Sequence, residues 1–335
     1  MSNTKQILSM LRSRAEGDED QFLAIALQIA AAEARQGRRT NAELLRAAVE
    51  DVRRGGGDKP SVRVALAQPR GDLEALLDLR EPTIRLPQVV LSDSVRARLD
   101  GVVLQQSRRS WLREGNRVPS RRLLFAGPPG SGKTMTAEAL AGELRLPLLV
   151  VRLEALITRF MGETSAKLRL VFDETIRRRG VYLFDEFDAV GGKRAATNDV
   201  GEMRRVLNSF LQFMEEPAST DSIILAATNH PELLDPALQR RFDDVLLFEM
   251  PSPDEIREVI RNHLRPMKYP RISWDRVVEA GRGLSQAELA RAADEAAKAA
   301  LLSERDTIRT HDLLEQLAAR HQMRDVFRGD QQAAR

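Results

Sequence analysis

The sequence predicts an α/β protein: a parallel sheet with helices on both faces, followed by a small all-helical domain and preceded by a helical module. Three observations carry that prediction. Between residues 122 and 250, short apolar runs alternate with helical periodicity, the pattern of strands joined by crossover helices. One of these runs ends in a glycine-rich turn that opens directly into a helix. After Pro251 the strand pattern stops and only helical spacing continues.

In chain order, residues 1–54 repeat helical apolar spacing in "ILSMLRS", "QFLAIALQIAAAEARQG" and "AELLRAAVEDVRR", with Thr40 and Asn41 as helix-start residues. "GGGDKP", Gly55 to Pro60, ends this module, and residues 55–87, which include Pro69, Pro82 and Pro87, are expected to form a linker. The α/β domain is expected over residues 88–250, with strands at Arg122 to Ala126, Pro147 to Leu153, Val181 to Phe184, Ser222 to Thr228 and Val245 to Met250. Helices are expected at Lys133 to Leu144, Glu163 to Arg179 and Gly201 to Glu216. The helical lid domain is placed at 251–325, with helices at Pro253 to Arg265, Trp274 to Ala280, Gln286 to Ser303 and His311 to Gln322. Residues 326–335, containing "RGDQQAAR", are expected to be a disordered tail.

Composition narrows the function. Of 335 residues, 42% are hydrophobic and 30% charged, enough apolar material for a sizeable core. Only 4% are aromatic, which argues against a stacking platform for single-stranded nucleic acid. The 52 basic residues are nearly matched by 49 acidic ones, a net charge of +3, so no polyanionic partner is demanded. The local cluster Arg108, Arg109, Arg113, Arg117, Arg121 and Arg122 reads as a solvated helix face and loop, with DNA contact as the lesser reading. Without cysteine there is neither a disulfide nor a thiolate metal site, and the four histidines have no ligand spacing. No signal core and no run of roughly 18 to 20 apolar residues is found, so the expected location is cytoplasmic, with no membrane contact.

The chemistry begins at "LLFAGPPGSGKTMTAEAL". It fits G-x-x-x-x-G-K-[ST] with Gly127, Gly132, Lys133 and Thr134, after a strand and opening a helix, and so predicts a P-loop NTPase sheet. Residues Gly127, Pro128, Pro129, Gly130, Ser131, Gly132, Lys133, Thr134 and Met135 would form the phosphate cradle. Glycines let backbone N–H groups converge on phosphate oxygens, and the helix N-terminus adds the positive end of its dipole. Lys133 is expected to meet the β- and γ-phosphates of ATP, and Thr134 to offer its hydroxyl to Mg²⁺.

About fifty residues on, "VYLFDEFDAV" ends an apolar strand in two carboxylates. Asp185 is expected to help hold the metal through water. Glu186, turned the other way by strand alternation, would polarise the attacking water. Asp188 is expected only to support the turn. The strand in "IILAATNHPELLDPALQRRFD" ends at Asn229, an amide able to hydrogen-bond the γ-phosphate or the water.

With these motifs in place, the sequence resembles the AAA+ ATPases, close to the AAA proper branch that remodels proteins, over roughly Gln88 to Gln322. The resemblance implies that Asn229 is the sensor-1 residue and that Arg240 and Arg241 face a neighbouring subunit's nucleotide. Family members usually separate these arginines by Pro-Gly; here they are adjacent, and either fits. "VVLSDSV" stands where a D-[IV]-G-G segment is usual, which places the adenine pocket near Val90 to Leu91. In "GLSQAELARAADEAA", Gln286 and Ala287 replace the usual Gly-Ala; no sensor-2 arginine is expected, and Arg291 reads as a helix-face residue.

The resemblance also gives "RFMGETSAKLRLVF" a role as the first pore loop, with Phe160, Met161 and Gly162 lining the channel of a ring. "GGKRAATNDVGE" would be a second pore loop or a flexible loop, and Arg204 and Arg205 either relay nucleotide state or form salt bridges. The expected protein is a homo-oligomer, a hexamer, that hydrolyses ATP with Mg²⁺ to thread or remodel protein substrates, with the N-terminal module recruiting them. With no peptidase motif, any proteolysis would need a separate partner protease or adaptor. The alternative is a nucleotide-switched scaffold or loader acting on DNA without threading.

Overall fold

The computed structural model describes residues 71–156, 163–188, 200–216, 220–233 and 239–333, together with Ile25, Ala26, residues 28–30 and Glu43. The chain divides into two units, Met1–Leu66 and Ala67–Arg335. In the first, Ile25, Ala26 and Ala30 are helical and buried, spaced as one face of a helix.

The second unit opens with a short helix α1 (Asp72–Leu76) and strand β1 (Leu77–Arg80), then α2 (Asp93–Ser107) and α3 (Arg109–Glu114). There follow β2 (Arg122–Ala126), α4 (Lys133–Glu143), β3 (Leu148–Val151), α5 (Leu153–Leu156), α6 (Glu163–Arg177), β4 (Val181–Phe184), α7 (Val200–Glu215), β5 (Ile223–Thr228) and β6 (Asp244–Leu247). The helical end comprises α8 (Pro253–Leu264), α9 (Trp274–Gly281), α10 (Gln286–Leu302) and α11 (Thr310–Ala333). The sheet has six strands in the order β1-β3-β4-β5-β2-β6. All neighbours are parallel except β1, which runs antiparallel to β3 with Leu77 opposite Val151.

The five expected strands are all present. β1 lies in a segment that the sequence reading gave to the linker. Its four residues, Leu-Asp-Leu-Arg, form an edge strand, and prolines nearby obscure so short a pattern. At the other end, the backbone of α11 continues to Ala333. The expected tail therefore starts as helix, because Gln, Arg and Ala favour helix even without an apolar face.

Alternation along the strands divides the core into two layers. Leu124, Tyr182, Phe184 and Ala226 face one side and pack against α6 and α7 through Leu168, Phe172, Phe210 and Met214. Leu123, Phe125, Leu183 and Leu225 face the other and meet Val95 and Leu99 of α2 and Leu140 of α4. β4 and β5 are buried at every position, as central parallel strands covered on both faces must be. The helical end has its own core of Ile260, Leu264, Val277, Leu289 and Leu313, lined with alanines from α10. Val90, which precedes α2, is buried in this third core and so anchors the start of the α/β domain to the lid.

Candidate active site

Chain reversal after β2 sets the phosphate loop. Gly127 has φ 156°, and a Cβ there would lie 2.1 Å from the Phe248 carbonyl oxygen, so no side chain fits. Gly132, with φ 92°, turns the chain into α4 in a conformation that side-chain-bearing residues rarely adopt. The loop is thus a cradle a Cβ would fill, with the N-terminus of α4 aimed into it, which suits phosphate. Lys133 is 6% exposed, and its Nζ donates to the Gly127 and Pro128 carbonyls at 2.8 Å each. Burial pushes its pKa below the ordinary lysine value, and the nearby Asp185 and Asp188 offset part of that.

The acidic pair is held from below. Phe184 and Phe187 flank Asp185 and Glu186 in sequence, and both rings pack on Phe210, at centroid distances of 5.0 and 4.7 Å. Phe172 stacks beside them, 5.9 Å from Phe184. β4 ends at Phe184, so Asp185 and Glu186 lie in a turn where strand alternation does not set their directions, and both line the same cavity; Glu186 has φ 50°. Thr134 Oγ1 donates to Asp185 Oδ2 at 2.7 Å. This hydroxyl-carboxylate pair is an oxygen donor set that suits Mg²⁺, a hard cation that retains waters.

Asp188 does more than support the turn. Its Oδ1 accepts hydrogen bonds from Thr228 Oγ1 at 3.0 Å and from the Asn229 amide at 3.3 Å, which fixes the end of β5. Asn229 is thereby brought to the same cavity as Lys133, Thr134, Asp185 and Glu186. The cavity measures about 500 Å³, within the range of small-molecule sites. Its apolar end is formed by Val90, Val259, Ala287 and Ala290, with Asn262 and His263 alongside. Of the two residues expected at the adenine, Val90 lines this cavity and Leu91 lines a neighbouring one.

The lid's share of the wall was not assigned from the sequence. α8 and α10 reach the phosphate loop only through tertiary contact, and the one sequence signal was the departure at Gln286. Arg291 is exposed and does not line the cavity. Arg240 and Arg241 lie outside the cavity as well. Arg241 pairs with Glu215 at the end of α7, whereas Arg240 is exposed and makes no ion pair among the described residues. Phe160, Met161 and Gly162 lie outside the described residues, as do most of the second candidate pore loop and the side chains of Arg204 and Arg205.

Most of the arginine cluster is committed to partners within the chain. Arg113 donates to Asp221 at 2.6 Å, with Arg109 at 3.9 Å from the same carboxylate, and Arg121 donates to the Glu216 carbonyl. Arg122 pairs with Asp243. Burial pushes Asp243's pKa up, but hydrogen bonds from Arg122 and from the amides of Arg121 and Arg122 outweigh it, leaving the carboxyl below its ordinary value.

A parallel sheet ending in a glycine cradle, a buried lysine, a threonine-aspartate pair and a second carboxylate defines a phosphate-loop nucleoside-triphosphate hydrolase. The family model for the ATPase family associated with various cellular activities (AAA) matches residues 123–250. The AAA family ATPase y4kL of Sinorhizobium fredii is 33% identical over 298 residues, 88% of this chain and 89% of that protein. The chain belongs to the AAA family of ATPases. The ATP-dependent zinc metalloprotease FtsH of Acidothermus cellulolyticus is 36% identical over 241 residues, 69% of this chain but only 36% of the relative. Among solved structures, the AAA domain of FIGL-1 shares the fold, with a TM-score of 0.61 at 21% identity, covering 78% of this chain and 92% of that one. No helix among the described residues is long and apolar enough to cross a membrane.

Proposed function

We propose that this AAA ATPase acts as a ring, a hexamer, in which each ATP is hydrolysed between neighbouring subunits to draw a protein substrate through a central pore. One observation carries the reading: among the described residues the cavity is lined by Lys133 and by no arginine, while Arg240 stands exposed outside it. Charge developing on a transferred phosphoryl group calls for a further cation, and a neighbour's Arg240 would supply it. Arg241, paired with Glu215, would position the segment.

Within one subunit, the backbone from Gly127 to Met135 would cradle the phosphates, and Lys133 would turn from the loop carbonyls to the β- and γ-oxygens. Thr134 and Asp185 would hold Mg²⁺, which supplies charge neutralisation at the β- and γ-phosphates when bound. Glu186 would orient the attacking water and take its proton at a carboxylate oxygen, while Asn229 hydrogen-bonds the water or the γ-phosphate. Phe160 and Met161 would grip the substrate chain by apolar contact that tolerates sequence. The residues of the first unit would recruit the substrate or an adaptor, and any proteolysis would belong to a separate protein. The internal pairing of Arg109, Arg113 and Arg122 favours this reading over a loader on DNA.

The test is a set of three substitutions. Arg240→Ala should lower kcat by about 10³-fold with little change in nucleotide binding, and Arg241→Ala should cost less. Phe160→Ala should abolish substrate remodelling while basal hydrolysis persists. Full hydrolysis by Arg240→Ala, or salt-sensitive DNA binding that stimulates turnover, would count against the proposal.

A further inference from the structure

We propose that Gln286 is a positioning residue for the bound nucleotide, a strut from the lid that holds two walls of the cavity in register. This rests on the nucleotide-binding reading of that cavity. Gln286 is the first residue of α10 and is 9% exposed. Its Nε2 donates to the Val90 carbonyl at 3.1 Å, across 196 residues of sequence. Its Oε1 sits against Gly132, so close that a Cβ on that glycine would lie 2.9 Å away.

Adjacent contacts reinforce the same junction. The Ala287 amide donates to the Gly130 carbonyl at 3.0 Å. Ser285 and Glu288 close a reciprocal cap that fixes where α10 starts. Gly132 is the residue from which α4 departs, so its position sets those of Lys133 and Thr134. Val90 forms part of the apolar end of the cavity. A carboxamide is long enough to touch both walls. Glycine, the usual residue here in the branch the sequence resembles, would touch neither.

Gln286 spends its side-chain hydrogen bond on the Val90 carbonyl and not on Asp185 or Glu186, and the loop it steadies would receive phosphates common to ATP and ADP. Its loss therefore removes binding that is equal in ground and transition states, which raises KM and leaves kcat alone. In the full-length protein, Gln286→Met keeps the side-chain volume and removes the polar groups. Titration with fluorescent ADP and with a slowly hydrolysed ATP analogue should show both weakened by about 5- to 10-fold, the effect of one buried hydrogen bond. KM should rise in parallel at unchanged kcat. The unfolding midpoint without nucleotide should fall only by the small amount that one unmade buried hydrogen bond costs, and the Ala287 amide should exchange with solvent faster. Gln286→Glu also loses the donor and sets a carboxylate beside the phosphates, so binding should fall by about 100-fold. Unchanged nucleotide affinity in Gln286→Met, a fall in kcat at constant KM, or equal losses of affinity in Gln286→Met and Gln286→Glu would overturn the strut. Failure of the wild-type protein to bind either nucleotide would instead overturn the assignment of the cavity.

Discussion

The floor of the cavity that holds Lys133 is aromatic, whereas its lid wall is aliphatic and rich in alanine. Beneath Asp185 and Glu186 lie Phe172, Phe184, Phe187 and Phe210, all large and buried. The lid wall rests on Ala292, Ala293, Ala296 and Ala300. Its links to the phosphate loop and the base end include two hydrogen bonds, from Gln286 and Ala287. Interlocked rings resist displacement, because moving one opens space that its neighbours cannot fill. Small side chains and a few polar links allow one helix to shift against another at modest cost. Asp185 and Glu186, the carboxylates proposed for catalysis, are thus set on a tightly interlocked base, and the lid wall proposed to meet the nucleotide is the more adjustable part.

Several substitutions would break or sharpen that contrast. The largest effect is expected at the floor's working group, where Glu186→Gln should cut hydrolysis by about 10³-fold and leave nucleotide bound, as read by turnover and by nucleotide co-purification. Next comes the floor itself. Phe210→Ala should lower unfolding free energy by about 3–5 kcal/mol in denaturant titration, and a loss under 1 kcal/mol would mean the rings are not rigidly packed.

Asp243 ties the start of β6 to the amides before and within β2. Asp243→Asn should cost about 2 kcal/mol at neutral pH, the worth of charge-assisted hydrogen bonds. Because its folded-state pKa is depressed, this contribution is complete above the unfolded value near pH 4 and is lost as pH falls through the folded one. The gap between variant and wild type should therefore close on acidification, and a gap constant with pH would contradict the assignment. The smallest effect belongs to Val90, the residue that the lid wall grips. Val90→Ala should remove about 1–2 kcal/mol of stability while weakening nucleotide binding, a pairing that no floor substitution should reproduce.

The same contrast explains what was legible in the sequence. Gly127, Asp185 and Asn229 directly follow the mostly apolar strands β2, β4 and β5, and Gly132 and Lys133 close the loop that Gly127 opens, so local pattern placed them at one end of a parallel sheet before any contact was known. The turn at Glu186 was misread because alternation was extended two residues past the strand's end at Phe184. β1 escaped because Leu77 and Leu79 alternate with Asp78 and Arg80 over only four residues. The lid wall was illegible for a different reason: the partner of Gln286 is a backbone carbonyl nearly two hundred positions away, and a carbonyl has no signature in sequence. Likewise nothing local pairs Arg113 with Asp221, which is why that cluster read as a solvated face.

The direct test of the shared active site is to mix two inactive proteins. Arg240→Ala keeps its own carboxylates but offers no arginine to its neighbour, and Glu186→Gln offers the arginine but cannot activate water. Co-assembled in equal amounts with ATP, the pair should regain a substantial fraction of wild-type hydrolysis, since some seams then combine an intact Glu186 with an intact Arg240. If the mixture forms rings and stays as inactive as its components, the site is complete within one subunit and the account is wrong.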